Sequence, residues 1–229
     1  MIIKDKNYVF SRGVAFYPEK EMELLKEQLK HGWHFIKLNS LGFLVFEKGE
    51  IEDKKFSVDF FSGSKEELDE YLTIYEEAGW EYVADYKKKY YYFQAEPSAL
   101  TIYSDEDSYS VRMRQEWLWN FKSSLTYVPI GLLIYFITYL TRQSDSSHGI
   151  LYIISRALLF FFGTIFTVLP FSVLLNILFS MLFYKDRKKF FNRPEIFAKR
   201  QRLWRDLIIL MFFGAIVGMI LSFMFGDIA

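Results

Sequence analysis

Two long apolar runs separated by a short basic stretch constrain the fold of this chain more than any other feature. The runs cover Ala157–Tyr184 and Leu207–Phe225. At about 1.5 Å per residue, each is long enough to cross a hydrocarbon core of roughly 30 Å. The stretch between them, Lys185–Arg205, holds nine Lys and Arg residues against two acidic residues. Moving several cations across a membrane is costly, so a short basic connection of this kind stays in the cytoplasm.

A weaker apolar run, Ser123–Leu140, precedes these two and predicts a third span. Residues 123–229 are therefore predicted to form an all-α region of three transmembrane helices. Residues 110–122, which contain two Trp and two Arg residues, are predicted to form a juxtamembrane helix at the cytoplasmic interface. This order gives a multi-pass protein of the cell membrane, with the N-terminus in the cytoplasm and the C-terminus outside.

Small and polar residues recur every fourth position along two of the predicted spans. Gly214, Gly218 and Ser222 share one helix face, and Asn176 lies on a similar stripe between Ser172 and Ser180. Such stripes allow helices to pack closely, and the third span could pair with its counterpart in a homo-oligomer. The alternative is a polar path for a solute. No ionisable residue lies deep in any span, which argues against a proton- or ion-coupled transporter.

Charge divides the chain into an acidic head and a basic membrane part. Residues 1–110 carry 14 Lys and Arg residues against 22 Asp and Glu residues, whereas residues 111–229 carry 14 against 6. An acidic head disfavours nucleic acid as a partner, since phosphates require a cationic surface. It would instead attract the basic connection in a salt-sensitive contact. The chain has no cysteine, which excludes disulfides and thiol catalysis.

The head, residues 1–109, contains an internal repeat of about 47 residues, covering about 6–48 and 53–95. Gly32-Trp33 falls on Gly79-Trp80, and Phe43 falls on Tyr90. Helices are predicted over Pro18–Lys30 and Lys65–Ala78, the second with a capping box of Ser64 and Glu67. The predicted fold class is an α+β head, a duplicated β-α-β-β unit. The two units would share one antiparallel sheet with both helices on one side.

The paired helix, Gly-Trp and hairpin pattern resembles a known family. Together with Val58-Asp59-Phe60 and Ile102-Tyr103-Ser104-Asp105, it is similar to the bacterial domain-of-unknown-function 2812 family. The resemblance covers roughly residues 1–107. It implies a cytoplasmic domain in Gram-positive bacteria, often with a membrane tail. It implies no activity and transfers no functional residue.

Candidate site residues come from the aromatic strands of the head. The residues singled out for ligand or protein binding are Trp33, Asp59, Trp80, Tyr82, Tyr90 and Tyr92. For the aromatic residues, packing within the sheet is the competing and favoured interpretation. For Asp59, it is a carboxylate facing water. His31 and His34 have the spacing of a metal pair but lack a third ligand nearby, so no metal or other cofactor is predicted.

Three function classes follow from these observations. The favoured hypothesis is a sensor or adaptor: a cytoplasmic domain that binds an unknown small molecule or protein and is anchored in the lipid bilayer. The second is a membrane-active role, such as a permease accessory subunit or protection against a membrane-acting peptide. An enzyme is not expected, because no catalytic constellation or catalytic motif is present in the sequence.

Overall fold

The computed structural model describes residues 1–3, 5–141 and 149–225, without the side chains of residues 3 and 216–225. The chain forms two compact units. Unit 1 comprises Met1–Glu116 and Tyr184–Leu207. Unit 2 comprises Trp117–Phe183 and the chain from Ile208 onward.

The strands of unit 1 pair in two antiparallel sheets, one for each repeat. The first sheet has the order β1-β2-β4-β3 and the second has the order β5-β7-β6. The strands are β1 (Ile2–Ile3), β2 (Lys6–Phe10), β3 (Trp33–Leu38), β4 (Phe43–Lys48), β5 (Lys55–Phe60), β6 (Glu81–Tyr86) and β7 (Tyr90–Ala95). The head is thus α+β and built from antiparallel strands.

The pairing within the two sheets shows the internal repeat directly. Strand β7 starts and ends 47 positions after β4. The register shifts between Phe35 and Lys37 in the first sheet and between Tyr82 and Ala84 in the second, again 47 positions apart. Gly32 and Gly79 leave the preceding helices with φ of 73° and 81°, which glycine adopts without a steric penalty.

The prediction of a single shared sheet is wrong. Strands β3 and β6 lie beside each other at the edges of their sheets, but they do not pair. Each carries the irregularity described above, and a bulge twists an edge strand and interrupts its row of hydrogen-bonding groups. Side chains join the sheets instead. The ring of Phe35 in β3 lies 4.8 Å from that of Tyr92 in β7.

The two predicted helices are present as α1 (Pro18–Leu29) and α2 (Leu68–Glu77). Helix α1 contacts both β3 and β5, so it packs against strands of both repeats. Helix α2 begins three residues later than predicted, because Glu67 and not Ser64 occupies its N-cap. Half of the capping box forms: the Ser64 N–H donates to the Glu67 carboxylate at 2.7 Å.

The basic stretch between the last two apolar runs folds into unit 1. We call residues 184–207 the connecting segment. It contains a short 3-10 helix, Arg187–Phe190, and helix α6 (Pro194–Arg200), which packs on α1. The other helices are α3 (Glu106–Leu125), α4 (Val128–Leu140), α5 (Ile150–Phe183) and α7 (Leu203–Phe225).

Within unit 2, α4 and α5 pack closely at two glycines. A side chain added at Gly131 would meet the backbone oxygen of Gly163 at 2.8 Å, and one added at Gly163 would meet the ring of Tyr135 at 3.1 Å. The Tyr135 hydroxyl and the Thr164 hydroxyl are hydrogen-bonded at 2.7 Å. The close approach therefore depends on glycines that the sequence analysis did not single out.

Two helical stretches in the described chain, and not three, are long and apolar enough to cross a membrane. They are Glu106–Leu140, which comprises α3 and α4, and Ile150–Phe183, which is α5. Only 17% and 11% of their apolar windows are buried, unlike the core helix of a soluble protein. The third predicted span coincides with α7, whose side chains beyond residue 215 lie outside the described residues.

The residues predicted to pack helices are only partly described. The position of a Gly214 side chain has no described atom within 4 Å. Gly218 and Ser222 belong to the part of α7 whose side chains lie outside the described residues. Asn176 donates to the backbone oxygen of Ser172, one turn earlier in α5, at 2.9 Å. Pairing through the third span stays a prediction.

Candidate functional site

A cavity of about 520 Å³ lies within unit 1 and is lined by both repeats and by the connecting segment. Helix α1 and strand β5 form one side, and Trp80 and residues 97–103 form another. The connecting segment contributes Phe190, Phe191, Asn192, Pro194 and Glu195. The volume falls within the range of roughly 300–1,000 Å³ that small-molecule sites occupy. The cavity is the candidate site.

The wall of the cavity is mainly aromatic and apolar, and it includes Trp80. Trp80 is buried, and its indole N–H donates to the backbone oxygen of Leu100 at 3.0 Å. The Lys55 ammonium lies 5.3 Å from the Trp80 ring centre and donates to the backbone oxygen of Ala99. An aromatic wall carrying an amine is suited to a ligand that has both an apolar and a polar part.

Glu19 of α1 connects the cavity to the connecting segment. It is buried and accepts hydrogen bonds from Arg187 Nε at 2.6 Å, Gln201 Nε2 at 3.0 Å and the Tyr109 hydroxyl at 2.9 Å. Arg187 is 2% exposed, and its guanidinium lies 5.9 Å from the Tyr109 ring centre. Several hydrogen bonds to one buried carboxylate hold its partners firmly.

A second buried carboxylate fastens the other end of the connecting segment. Asp206 is fully buried and accepts from the Tyr17 hydroxyl at 3.2 Å, from the Tyr184 hydroxyl and from Arg205 at 2.7 Å. Burial and the charge of Asp206 raise the pKa of Tyr17, so its phenol stays a donor. The segment is thus attached to α1 by buried polar contacts at both of its ends.

Asp59 lies at the centre of a third buried cluster. It is 4% exposed and accepts from the Tyr71 hydroxyl at 2.8 Å, from the Tyr75 and Tyr103 hydroxyls, and from Arg112 Nε at 3.1 Å. The favoured interpretation of Asp59 as a carboxylate facing water is therefore wrong. Asp59 lies on the inner face of β5, next to α2 and α3. Four hydrogen-bond donors compensate for the cost of burying a carboxylate there.

The environment of Asp59 keeps its tyrosine partners protonated. Burial, together with the negative charge of Asp59, raises the pKa of Tyr71, Tyr75 and Tyr103. Each phenol therefore stays protonated over the whole physiological pH range and can donate a hydrogen bond to the carboxylate. Arg112 continues the cluster to Glu116, whose carboxylate lies 2.6 Å from Nη1. The arrangement joins β5, α2 and α3 within unit 1.

The predicted site residues do not gather at one place. Trp80 lines the cavity, and Trp33 is half-buried with the Lys48 ammonium 5.0 Å from its ring centre. Tyr82 is 44% exposed, whereas Tyr90 and Tyr92 are buried in the sheet. Asp59 borders a second, more open groove of about 400 Å³. Their role in binding stays a prediction.

The two histidines are each hydrogen-bonded to the backbone. His31 Nδ1 lies 2.7 Å from the backbone oxygen of Glu27, and His34 Nε2 lies 2.7 Å from that of Glu50. No group of three His, Cys, Asp or Glu residues suited to a metal ion occurs among the described residues. The two imidazoles therefore belong to separate local contacts.

Sequence reasoning missed the residues that build the cavity from outside the aromatic strands. Glu19, Lys26 and Lys55 line the cavity but were not singled out as site residues. Arg187, which donates to Glu19, was only one of the nine Lys and Arg residues of the basic stretch. Glu19 is buried at the start of α1, and no local pattern predicts its burial.

Comparison with known proteins identifies the family of the head. A family model described as "Protein of unknown function (DUF2812)" matches residues 17–124, from the residue before α1 to the penultimate residue of α3. Comparisons with curated proteins and with solved structures give no match. The family match confirms the resemblance found in the repeat: residues 17–124 of this chain belong to the DUF2812 family.

Proposed function

We propose that the chain is a multi-pass membrane protein whose unit 1 faces the cytoplasm and binds a small molecule or a short peptide, without catalysis. The observation that carries this proposal is the cavity that the connecting segment lines in part. That segment links α5 and α7 along the chain, so an occupant of the cavity touches the residues that join two apolar helices. A sensor or adaptor requires a contact of this kind between ligand and transmitting element.

The membrane part of the proposal is supported by the two long apolar helical stretches and by the sequence of α7. The basic connection between α5 and α7 supports a cytoplasmic position for unit 1, because Lys and Arg residues near membrane helices are retained on that side. The lipid bilayer is then one partner, and the occupant of the cavity is the other. Three of the buried acids of unit 1, Glu19, Asp59 and Asp206, are held by several donors, which suits a structural or binding role.

Filling the cavity tests the proposal. Thr101 lines the cavity, whereas Thr73 is exposed on α2 and bonded only to the backbone of Asp69 in its own helix. Thr101→Phe should eliminate a molecule that co-purifies with the full-length protein, as detected by mass spectrometry of the solubilised sample. Thr73→Phe, the same chemical change elsewhere, should retain it. Equal recovery from both variants would place the bound molecule outside the cavity and contradict the proposal.

The alternative, a membrane-active role, rests on the close packing of α4 and α5 at Gly131 and Gly163. Under this alternative the cellular phenotype depends on unit 2, and Gly131→Leu abolishes it while Thr101→Phe leaves it intact. Under the favoured proposal Thr101→Phe impairs the phenotype by itself. The two variants therefore distinguish the candidate functions.

A further inference from the structure

Half of the six charged residues that line the cavity are closely paired with partners of opposite charge. An ion pair with a short N–O distance leaves little net charge for a ligand to recognise. Three lining groups are paired in this way: Glu19 with Arg187 at 2.6 Å, Glu23 with Lys20 at 2.9 Å, and Arg112 with Asp59 and Glu116 at 3.1 and 2.6 Å. The remaining charged groups therefore determine what the cavity attracts.

Three charged groups remain, Lys26, Lys55 and Glu195, and the two lysines belong to α1 and β5, which pack against each other. Lys26 of α1 shares Asp53 with Lys30, each ammonium being 3.5 Å from the same carboxylate oxygen. Lys55 of β5 has no ion pair with a described residue, and its ammonium rests over the Trp80 ring. The single carboxylate of Asp53 thus lies near two ammonium groups, those of Lys26 and Lys30. Lys55 adds a third positive charge.

Lys26 and Lys55 both line the cavity, so the charge of one acts on the other. Burial lowers the pKa of Lys55, and the positive charge of Lys26 lowers it further. Glu195 acts in the opposite direction. Glu195 belongs to the first turn of α6 and lines the cavity from the connecting segment. It makes no ion pair with a described residue, so it is the acidic group available to balance Lys55.

We propose that the cavity binds a small amphipathic anion. Its apolar or aromatic body would lie against Trp80 and the neighbouring aromatic wall, and its carboxylate or phosphate would lie between Lys26 and Lys55. The inference rests on the proposed function and names the ligand class for that site. A carboxylate or phosphate gains charge-assisted hydrogen bonds from both ammonium groups, which a neutral analogue cannot make.

The anion also competes with a group of the connecting segment. Glu195 and Lys55 both line the cavity, and the negative charge of Glu195 opposes the lowering of the pKa of Lys55. A bound anion would therefore share the Lys55 ammonium with Glu195. Removing the charge of Glu195 removes the competitor, so this variant binds the anion more tightly than the natural chain.

Three probes with a common indole body test the charge preference on the full-length protein in lipid nanodiscs. They are indole-3-acetate, indole-3-acetamide and tryptamine, which are anionic, neutral and cationic. Equilibrium dialysis should show the acetate binding about tenfold more tightly than the acetamide, with tryptamine the weakest. Tighter binding of tryptamine, or equal binding of acetate and acetamide, overturns the inference of an anion site and leaves cavity binding intact.

Matched variants locate the anion. Lys26→Gln and Lys55→Gln should each weaken indole-3-acetate binding by about tenfold and leave the acetamide unchanged. Lys30→Gln is the control, because Lys30 contacts the same Asp53 oxygen at the same distance but does not line the cavity. Glu195→Gln should tighten acetate binding. Equal losses in the Lys26 and Lys30 variants would overturn the placement.

Failure of the ligand class and failure of the proposed function give different results. If none of the three probes binds at millimolar concentration, the anion inference is wrong. The proposed function is then judged by the molecule that co-purifies and by its loss in Thr101→Phe. If indole-3-acetate binds with the same affinity to Thr101→Phe, the cavity is not the binding site, and both proposals fail.

Discussion

At the scale of single residues, unit 1 is notable for its buried carboxylates. Glu19, Glu21, Asp59 and Asp206 are all nearly inaccessible to solvent. Each accepts several hydrogen bonds, often from tyrosine hydroxyls, whose pKa burial raises. Burying charge is costly without such partners, and removing one partner leaves an uncompensated group. The many tyrosines of the head thus donate hydrogen bonds to buried carboxylates, in addition to packing their rings in the core.

Glu21 gives a prediction about pH at this scale. It is fully buried and accepts from the Ser11 hydroxyl at 2.9 Å, the Arg12 N–H at 2.7 Å and the Tyr92 hydroxyl at 3.3 Å. Burial raises the pKa of Glu21 above its ordinary value of 4.5. The folded state therefore binds the proton more tightly than the unfolded state. Its contribution to stability is complete below pH 4.5 and is lost as the pH rises through the raised pKa.

The Glu21→Gln variant lacks this titration. Its free energy of unfolding, relative to the natural chain, should increase as the pH is raised from 4 to 8, in thermal unfolding followed by circular dichroism. Glu27→Gln, on the exposed side of the same helix, is the control and should show no such trend. A Glu21→Gln curve parallel to that of the natural chain would show that the carboxyl is not perturbed.

At the scale of elements, the connecting segment is the part of the fold that differs most from expectation. A stretch with nine cations was expected to attract the acidic head through a salt-sensitive surface contact. It instead folds against α1 and buries Arg187 against Glu19. A buried pair is screened by salt much less than an exposed one. The same stretch therefore contains both a fixed part and several exposed cations.

A matched pair of substitutions on α1 tests this attachment. Glu19→Gln leaves the buried guanidinium of Arg187 without its anionic partner and should destabilise unit 1 by about 3 kcal/mol. Glu23→Gln removes a half-exposed pair with Lys20 and should cost about 1 kcal/mol or less. Trypsin should cleave the connecting segment several times faster in the Glu19 variant. Equal cleavage rates in the two variants would show that the Glu19–Arg187 pair does not hold the segment.

At the scale of the whole molecule, unit 1 is built from two segments that are far apart in the sequence. Residues 184–207 join a unit otherwise made of residues 1–116, with α4 and α5 in the intervening sequence. This connectivity means that a change at the cavity acts on residues covalently continuous with α5 and α7. Under the proposed function, coupling between a ligand and the apolar helices would pass through the backbone of this one segment.

The sidedness of the chain can be tested because it has no cysteine of its own. Single cysteines are introduced at Ser64, exposed in the head, and at Gly149, exposed before α5, where an added side chain meets no described atom. A membrane-impermeant maleimide should label Gly149→Cys on intact cells, and Ser64→Cys only after permeabilisation. Labelling of Ser64→Cys on intact cells would reverse the predicted topology.

The sequence by itself determined the repeat, the two repeated helices and the long apolar helices. These follow from local patterns: a helix period, a glycine that permits positive φ, and apolar length. The prediction of one shared sheet was wrong. The bulges that interrupt the edge strands β3 and β6 leave no distinct pattern in the sequence. The sequence analysis also predicted that the Asp59 carboxylate faces water, because the sequence of a short strand does not show which of its faces is buried.

Only the tertiary structure decided which of the nine cations becomes buried. Arg187 meets Glu19, a carboxylate 168 positions earlier in the chain, and both are surrounded by groups from α1, α3 and α6. Local sequence sets the propensity of each element, but it does not record which distant charge compensates a buried one. The cavity arises from the same long-range contact, since its walls come together only when the connecting segment packs on α1.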